Sequence, residues 1–351
     1  MKEKLRIIIC VSILLIISVI NLYNAKYLNT FYEHYYLKQL IWYIIGVIIS
    51  FCIIKFKLNR FNRYSNYLYY INLLLLILVL FISKPINGAK AWLDFGFFSF
   101  QPSEFMKLSL TLYLINIVNS NYPKKKKIIK MTILTLLPSF FVFLEPDTGA
   151  IIFYLVIYLT NLSFLKIKPK YYIILFFIAL FMSISIVYLY LYKQDLLIKI
   201  FGTSIFYRAD RFIHFKNGNY QRDLAMMSIF GSNIIRNGFK NILIYIPEGT
   251  TDFIYAFTAG NYGLIMTFII IITYLIMLLS LLDLTKKSHK KTNYLIISFV
   301  IMTFIQILIN ILMNIGLIPI IGITLPFLSY GGSSLLISFI YLALILTSMD
   351  N

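Results

Sequence analysis

The chain has 351 residues, 60% of them hydrophobic and only 13% charged, where a soluble domain would carry about a quarter charged. With a mean hydropathy of +0.84, this composition excludes a soluble globular chain and fits one that buries most of its length in lipid. The formal charge of +19 would suit a nucleic-acid binder, but the positions of the charges argue for membrane topology instead.

In chain order, apolar runs long enough to cross a bilayer as helices are expected near 5–22, 36–54, 66–82, 102–119, 129–144, 148–164, 171–191, 256–282, 294–314 and 327–348. The fifth and sixth are short and separated only by Glu145-Pro146-Asp147, so a single broken re-entrant pair is the alternative there. The short alternating segments of a membrane barrel do not occur. The expected fold class is an all-α integral membrane protein, a polytopic bundle of about ten transmembrane helices with one long extracellular loop, 193–256. Residues 1–351 are read as a single domain.

Basic residues gather in alternate connections: Lys2, Lys4 and Arg6; Lys55 to Arg63; Lys124 to Lys130; Lys166 to Lys170; and Lys286 to Lys291. The positive-inside rule places those connections and both termini in the cytoplasm, as an even number of spans requires. Most carboxylates fall on the opposite, outer side, among them Glu104, Glu145, Asp147, Glu248 and Asp252. Cys10 and Cys52 both lie within expected spans, so no disulfide framework is read, and the three histidines show no metal-ligand spacing.

Four outer segments carry residues that are costly at membrane depth. The first is Gly88 to Gly96 followed by Phe100 to Lys107. Pro102 suits the first turn of a helix, while Glu104 and Lys107 are spaced for an ion pair on one face. Trp92 is either an interfacial anchor or a binding residue. The second is Glu145-Pro146-Asp147-Thr148-Gly149-Ala150, where Asp147 suits a helix N-cap or a cation or sugar hydroxyl. The third is the long loop itself: Tyr207-Arg208 and Arg211 offer guanidinium groups suited to phosphate oxygens, Lys240 lies further on, and the loop closes at Pro247 to Ala256. Asp252 sits at the mouth of the helix that follows. The fourth is Asn314 to Ser334, where Pro319, Pro326 and several small residues break a helix in a way only a protein-lined cavity tolerates.

These strings together, GAKAWLDFGFFSFQPSEFMKL, EPDTGA, YRADRF with NYQ, PEGTTDFIYA and NIGLIPIIGITLPFLSYGGSS, resemble the SEDS family of shape, elongation, division and sporulation proteins typified by RodA, FtsW and SpoVE. The resemblance spans essentially the whole chain. It implies a peptidoglycan glycosyltransferase that polymerises lipid II at the outer face of the bacterial cytoplasmic membrane. It also implies a partner, a single-span class B penicillin-binding protein that cross-links the glycan. On that resemblance Asp252 matches the family's catalytic aspartate, and Trp92, Glu104, Lys107 and Arg208 match its functional positions. Asp252 would take the proton of the attacking sugar hydroxyl. Arg208, Arg211 and Lys107, with Lys240 counted beside them, or a divalent ion such as Mg2+ or Mn2+, would meet the pyrophosphate. No metal ligand is assigned. Short termini lean towards the RodA-like branch.

The chain also departs from the family's pattern. The family usually has His before the Thr-Asp-Phe, where Thr250 stands here, and its Glu-Glu-Leu-Gly is Gly260-Asn261-Tyr262-Gly263. Asp252 is therefore expected to act with fewer acidic neighbours than usual. Two rival functions are kept: a lipid II flippase, and an inactive scaffold for a transpeptidase. A translocation path would need ionisable residues in mid-span or on the inner half, and almost none are read there.

Overall fold

The computed structural model describes residues 2–56, 64–84, 89–96, 98–215, 219–236, 238 and 245–348. Its helices are α1 (Lys2–Ala25), α2 (Tyr35–Lys55), α3 (Ser65–Ile82), α4 (Pro102–Asn119), α5 (Lys124–Leu144), α6 (Thr148–Ser163) and α7 (Pro169–Tyr192), then α8 (Gln194–Phe201), α9 (Thr203–Ile213), α10 (Tyr220–Phe230), α11 (Ile254–Tyr262), α12 (Leu264–Leu284), α13 (Lys290–Asn314) and α14 (Gly332–Thr347). Among the described residues, seven helical segments are long and apolar enough to cross a membrane, built on α1, α2, α3, α5, α7, α12 and α13. The expected spans at α4, α6 and α14 are helical too, but α6 and α14 have only 16 residues each, and α4 carries an ion pair.

Sequence punctuation sets several boundaries. Pro102 and Pro169 stand in the first turns of α4 and α7, where a missing N–H costs nothing. Asp147 and Asn219 cap α6 and α10 with side-chain oxygens that accept from free backbone N–H groups. The pair α5 and α6 forms two separate helices joined by a turn, not one broken re-entrant unit. The expected continuous span 256–282 is in fact broken at Gly263, which takes φ +88° and lies so close to the carbonyl oxygens of Asn233 and Ile234 that a Cβ would meet them at 2.7 Å. Those carbonyls accept from the N–H groups of Leu264 and Ile265, so the break is hydrogen-bonded and not frayed. The last span also starts later than expected, at Gly332, because residues 315–331 stay non-helical.

The core is built around α4, buried along nearly its whole length and packed against α3, α5, α6, α13 and α14. Helix α14 packs on α2 and helix α1 on α12. Helix α7 stands apart: only Tyr190 is buried, and its C-terminal end packs on α8 and α9. A small satellite core of Tyr190, Leu197, Ile205 and Ala209 ties those three helices to Phe143 of α5. The stretch read as a long loop is thus largely helical.

One end of the bundle gathers the basic residues. Lys287 pairs with Glu3 at 2.8 Å, Thr292 reaches the Ser348 carbonyl at 3.3 Å, and Lys124 donates to the Lys166 carbonyl at 2.8 Å. The beginning of α1, the end of α14 and three basic connections therefore lie at the same end, and α8 to α10 lie at the other.

Candidate active site

At the end opposite the basic connections, residues 315–331 form an irregular strap packed among the helices, where each buried, unpaired backbone group would cost several kcal/mol. Buried side chains from three helices satisfy it. Gln306 of α13 donates to the Thr324 carbonyl at 2.8 Å and Asn310 to the Ile323 carbonyl at 2.6 Å. Tyr274 of α12 donates to the Pro326 carbonyl at 2.6 Å. From α2, Tyr43 donates to the Phe327 carbonyl and Gln39 to that of Ser329. Gly322, at φ +76°, sits mid-strap.

The turn that carries Asp252 is fixed by the same helix. Asn310 and Asn314, four residues apart on α13, both donate to the Asp252 backbone carbonyl, at 2.8 and 3.0 Å, and the Asn314 side-chain oxygen accepts from the Ala256 N–H at 3.0 Å. Ser329 donates to the Thr251 carbonyl at 2.6 Å, and the Tyr330 N–H to that of Thr250 at 2.9 Å. The strap and the aspartate turn are therefore locked to each other and to one stripe of α13.

With its backbone held, the Asp252 side chain makes no hydrogen bond or ion pair among the described residues. A Cβ placed on Gly322 would lie 3.5 Å from its Oδ2. A Cβ on Gly149 would lie 3.5 Å from Asp147 Oδ1 and 3.7 Å from the Gly322 carbonyl oxygen. The two glycines thus lie in close approach between Asp252 and Asp147. Asp147 caps α6 through the Ala150 N–H at 3.1 Å while its other oxygen accepts from Gln101 and Ser103, both at 3.0 Å. Asp147 therefore caps a helix, as one of its two sequence readings has it, and it acts electrostatically on Asp252.

Desolvation dominates the electrostatics. Burial, then Glu248 and Asp147, raises the Asp252 carboxyl from 3.8 to about 7, although part of the residue is open to solvent. Burial and Asp147 push Glu145 to about 9, and neither Glu145 oxygen has a hydrogen-bond partner among the described residues. Burial lowers the Arg208 guanidinium, Asp147 opposing it, while the neighbouring Arg211 adds to the lowering. Glu248 and Asp147 are thus acidic neighbours that act on Asp252. Gly260 and Asn261 face elsewhere: a Cβ on Gly260 would fall 2.1 Å from Ser228 Oγ of α10, and buried Asn261 donates to the Phe257 carbonyl at 2.8 Å. At Gly260, close helix packing replaces a carboxylate.

The other expected residues divide. Arg208 donates to the Phe143 carbonyl at 3.3 Å and lies over that ring, with Arg211 one turn further along α9. Lys107 is only 2% exposed, pairs with Glu104 at 2.7 Å and sits over the Phe153 ring. It is the internal counter-ion of Glu104, one turn below Ser103. Trp92 is half-buried at the start of a two-residue hairpin, Leu93–Asp94 paired with Ser99–Phe100, and has no hydrogen bond or ring contact with the site. Lys240 lies outside the described residues. Among the described residues no three His, Cys, Asp or Glu side chains gather as a cation cage, so the donor set does not fit a divalent ion held by protein ligands alone.

Fold and site together define a polytopic helical membrane protein whose carboxylate at the mouth of α11, Asp252, is unpaired among the described residues. A family model for the FtsW/RodA/SpoVE cell cycle proteins matches residues 4–350, and the chain belongs to that family. It is 32% identical over 341 residues to "Probable peptidoglycan glycosyltransferase FtsW" of Wigglesworthia glossinidia brevipalpis, covering 92% of this chain and 85% of that one. It is 30% identical over 333 residues to the protein of the same name in Hydrogenovibrio crunogenus, covering 89% and 81%. Its fold matches a chain of a peptidoglycan synthase complex with a TM-score of 0.80 at 22% identity, covering 98% of this chain and 96% of that one. The fold of Thermus thermophilus RodA matches at 0.70 and 21%, covering 98% and 95%. The sequence relatives named here are FtsW proteins and lend no support to the RodA-like lean.

Proposed function

We propose that this chain is a peptidoglycan glycosyltransferase that polymerises lipid II at the outer face of the bacterial cytoplasmic membrane. The observation that carries this reading is Asp252: its backbone is clamped, its carboxylate is unpaired among the described residues, and it titrates near neutrality beside Asp147. A general base works best when its pKa lies near the operating pH. The 4-hydroxyl oxygen of the acceptor sugar attacks the anomeric carbon of the donor. The bond from that carbon to the pyrophosphate breaks, Asp252 takes the hydroxyl proton, and polyprenyl pyrophosphate leaves. Arg208 and Arg211 supply positive charge for the departing anion, while the pair of Lys107 and Glu104 supports the floor below Ser103 and Asp147. The step is assigned to side chains alone.

The positive-inside rule puts the basic end, with both termini, in the cytoplasm, and α8 to α10 outside. A class B penicillin-binding protein is the proposed partner, supported by the fold's likeness to a chain of a peptidoglycan synthase complex. Purified protein incubated with labelled lipid II in detergent tests the assignment. Glycan chains that vanish in Asp252→Asn support it. Transfer of lipid II across liposomes without polymer would instead indicate a flippase, and neither activity a scaffold.

A further inference from the structure

Beside the mouth lies a second, smaller cavity of about 110 Å³, lined by Arg211 at the end of α9, by Asn219, Gln221 and Arg222 at the start of α10, and by Pro319 and Ile320 of the strap. Its size is enough for a phosphate group.

Its walls are rich in hydrogen-bond donors. Arg222 is fixed from behind: its Nε and Nη2 bind Asp223 Oδ1 at 3.1 and 2.8 Å, and its Nη1 donates to the Phe215 carbonyl. Its side chain is 11% exposed. Of five guanidinium N–H groups, this arrangement leaves two for the cavity. Arg211 has no hydrogen bond or ion pair among the described residues. Asp210, its chain neighbour, accepts from the Tyr190 hydroxyl and forms no ion pair with Arg211 among the described residues. The Gln221 amide has no side-chain partner among the described residues, and Asn219 uses only its oxygen to cap α10. Among the described residues no carboxylate lines the cavity, and Asp223 pairs with Arg222. Two guanidinium groups and two amides converging on a small space suit an oxyanion with several terminal oxygens.

We infer that this cavity is an anion subsite for the pyrophosphate of the acceptor, the second polyprenyl-linked substrate of a polymerisation step. The inference rests on the glycosyltransferase reading, in which donor and acceptor each carry a pyrophosphate and two anions must be held at once. The donor's pyrophosphate is bonded to the reacting carbon, so it belongs beside Asp252, within reach of Arg208. The acceptor's pyrophosphate lies a whole disaccharide away from its attacking hydroxyl. The cavity lies along the strap from Asp252: Ile320 lines it, and Gly322, which faces Asp252, follows two residues on. Arg211, one turn from Arg208, stands between the two anion positions. Arg222 is thus a binding residue for the acceptor and not part of the bond-making step.

Two variants of opposite sign test this on the full-length protein in detergent. Arg222→Gln should raise the lipid II concentration needed for half-maximal polymerisation about tenfold, with the rate at saturation near that of the wild type, and should weaken inhibition by farnesyl pyrophosphate to a similar degree. Asp223→Asn releases Arg222 from its acidic partner and should strengthen that inhibition several-fold. Wild-type polymerisation with neither variant moving these constants overturns the subsite, and so does a fall in saturated rate without a change in half-saturation. If the wild type makes no polymer, yet farnesyl pyrophosphate stabilises it against heat and Arg222→Gln abolishes that effect, the anion site stands and the polymerase reading fails.

Discussion

Replacing Asp252 with Asn should abolish polymerisation and, at neutral pH, make the protein more stable to heat. Burial with Glu248 and Asp147 nearby moves its carboxyl from 3.8 to about 7, roughly three pKa units. At 1.36 kcal/mol per unit, the folded state would lose at most about 4 kcal/mol by holding the ionised form. Because part of Asp252 is open to solvent, about 2 kcal/mol is the more realistic figure. The sign follows from linkage: a carboxyl whose pKa is raised by folding costs nothing below its unfolded value, and the cost grows as pH rises from about 4 to about 7, then levels off. Asn carries no such cost. Thermal midpoints in detergent, followed by Trp fluorescence across pH 4 to 8, should show variant and wild type together at the acid end, with the variant several degrees higher by pH 7.5. A gap that does not change with pH, or a variant less stable at neutrality, would refute the claim that desolvation raises this carboxyl.

The wild-type rate should rise with pH through about 7, since the carboxylate form is the base, and measuring initial rates across that range checks it. Asn314→Ala removes a donor to the Asp252 carbonyl and the acceptor of the Ala256 N–H; turnover should fall on the order of a hundredfold through misplacement, with lipid II affinity largely kept. Lys107→Met leaves Glu104 without its partner and should cost about 3–5 kcal/mol, most of which Glu104→Gln in the same chain restores; denaturation of both variants decides this. Restoring a family-like acid with Gly260→Glu should destabilise the α10–α11 contact by about 1–3 kcal/mol through collision with Ser228, and Ser228→Gly beside it should recover part of the loss.

The helices were legible because apolar runs of about 20 residues have few alternatives, and Pro102, Asp147 and the prolines of the strap announce their roles locally. The break at Gly263 was not, since a lone glycine in an apolar run reads as tolerated helix until Asn233 and Ile234 are seen to fill the gap. Asp252, Arg208 and Arg211 stood out by chemistry. The sequence offered no means of telling that Lys107 points inward, because an ion pair at i,i+3 has the same spacing whether it faces a cavity or the core.

The residues the sequence reading passed over are those that position the catalytic group. Gln306, Asn310 and Asn314 recur every four residues along an otherwise apolar helix, which puts three amides on one face at membrane depth. That pattern was visible, but it did not say which backbone the amides would hold. The structure gives the answer in physical terms. A base near neutrality needs a desolvated carboxylate, which in turn needs irregular backbone brought into the bundle, and irregular backbone in lipid survives only if its carbonyls are satisfied. The polar stripe of α13, with Tyr43, Gln39 and Tyr274, meets that requirement for the strap and the aspartate turn together. The elevated pKa of Asp252 and the buried amides of α13 are therefore parts of one arrangement, and a substitution in either should register in the pH profile of the other.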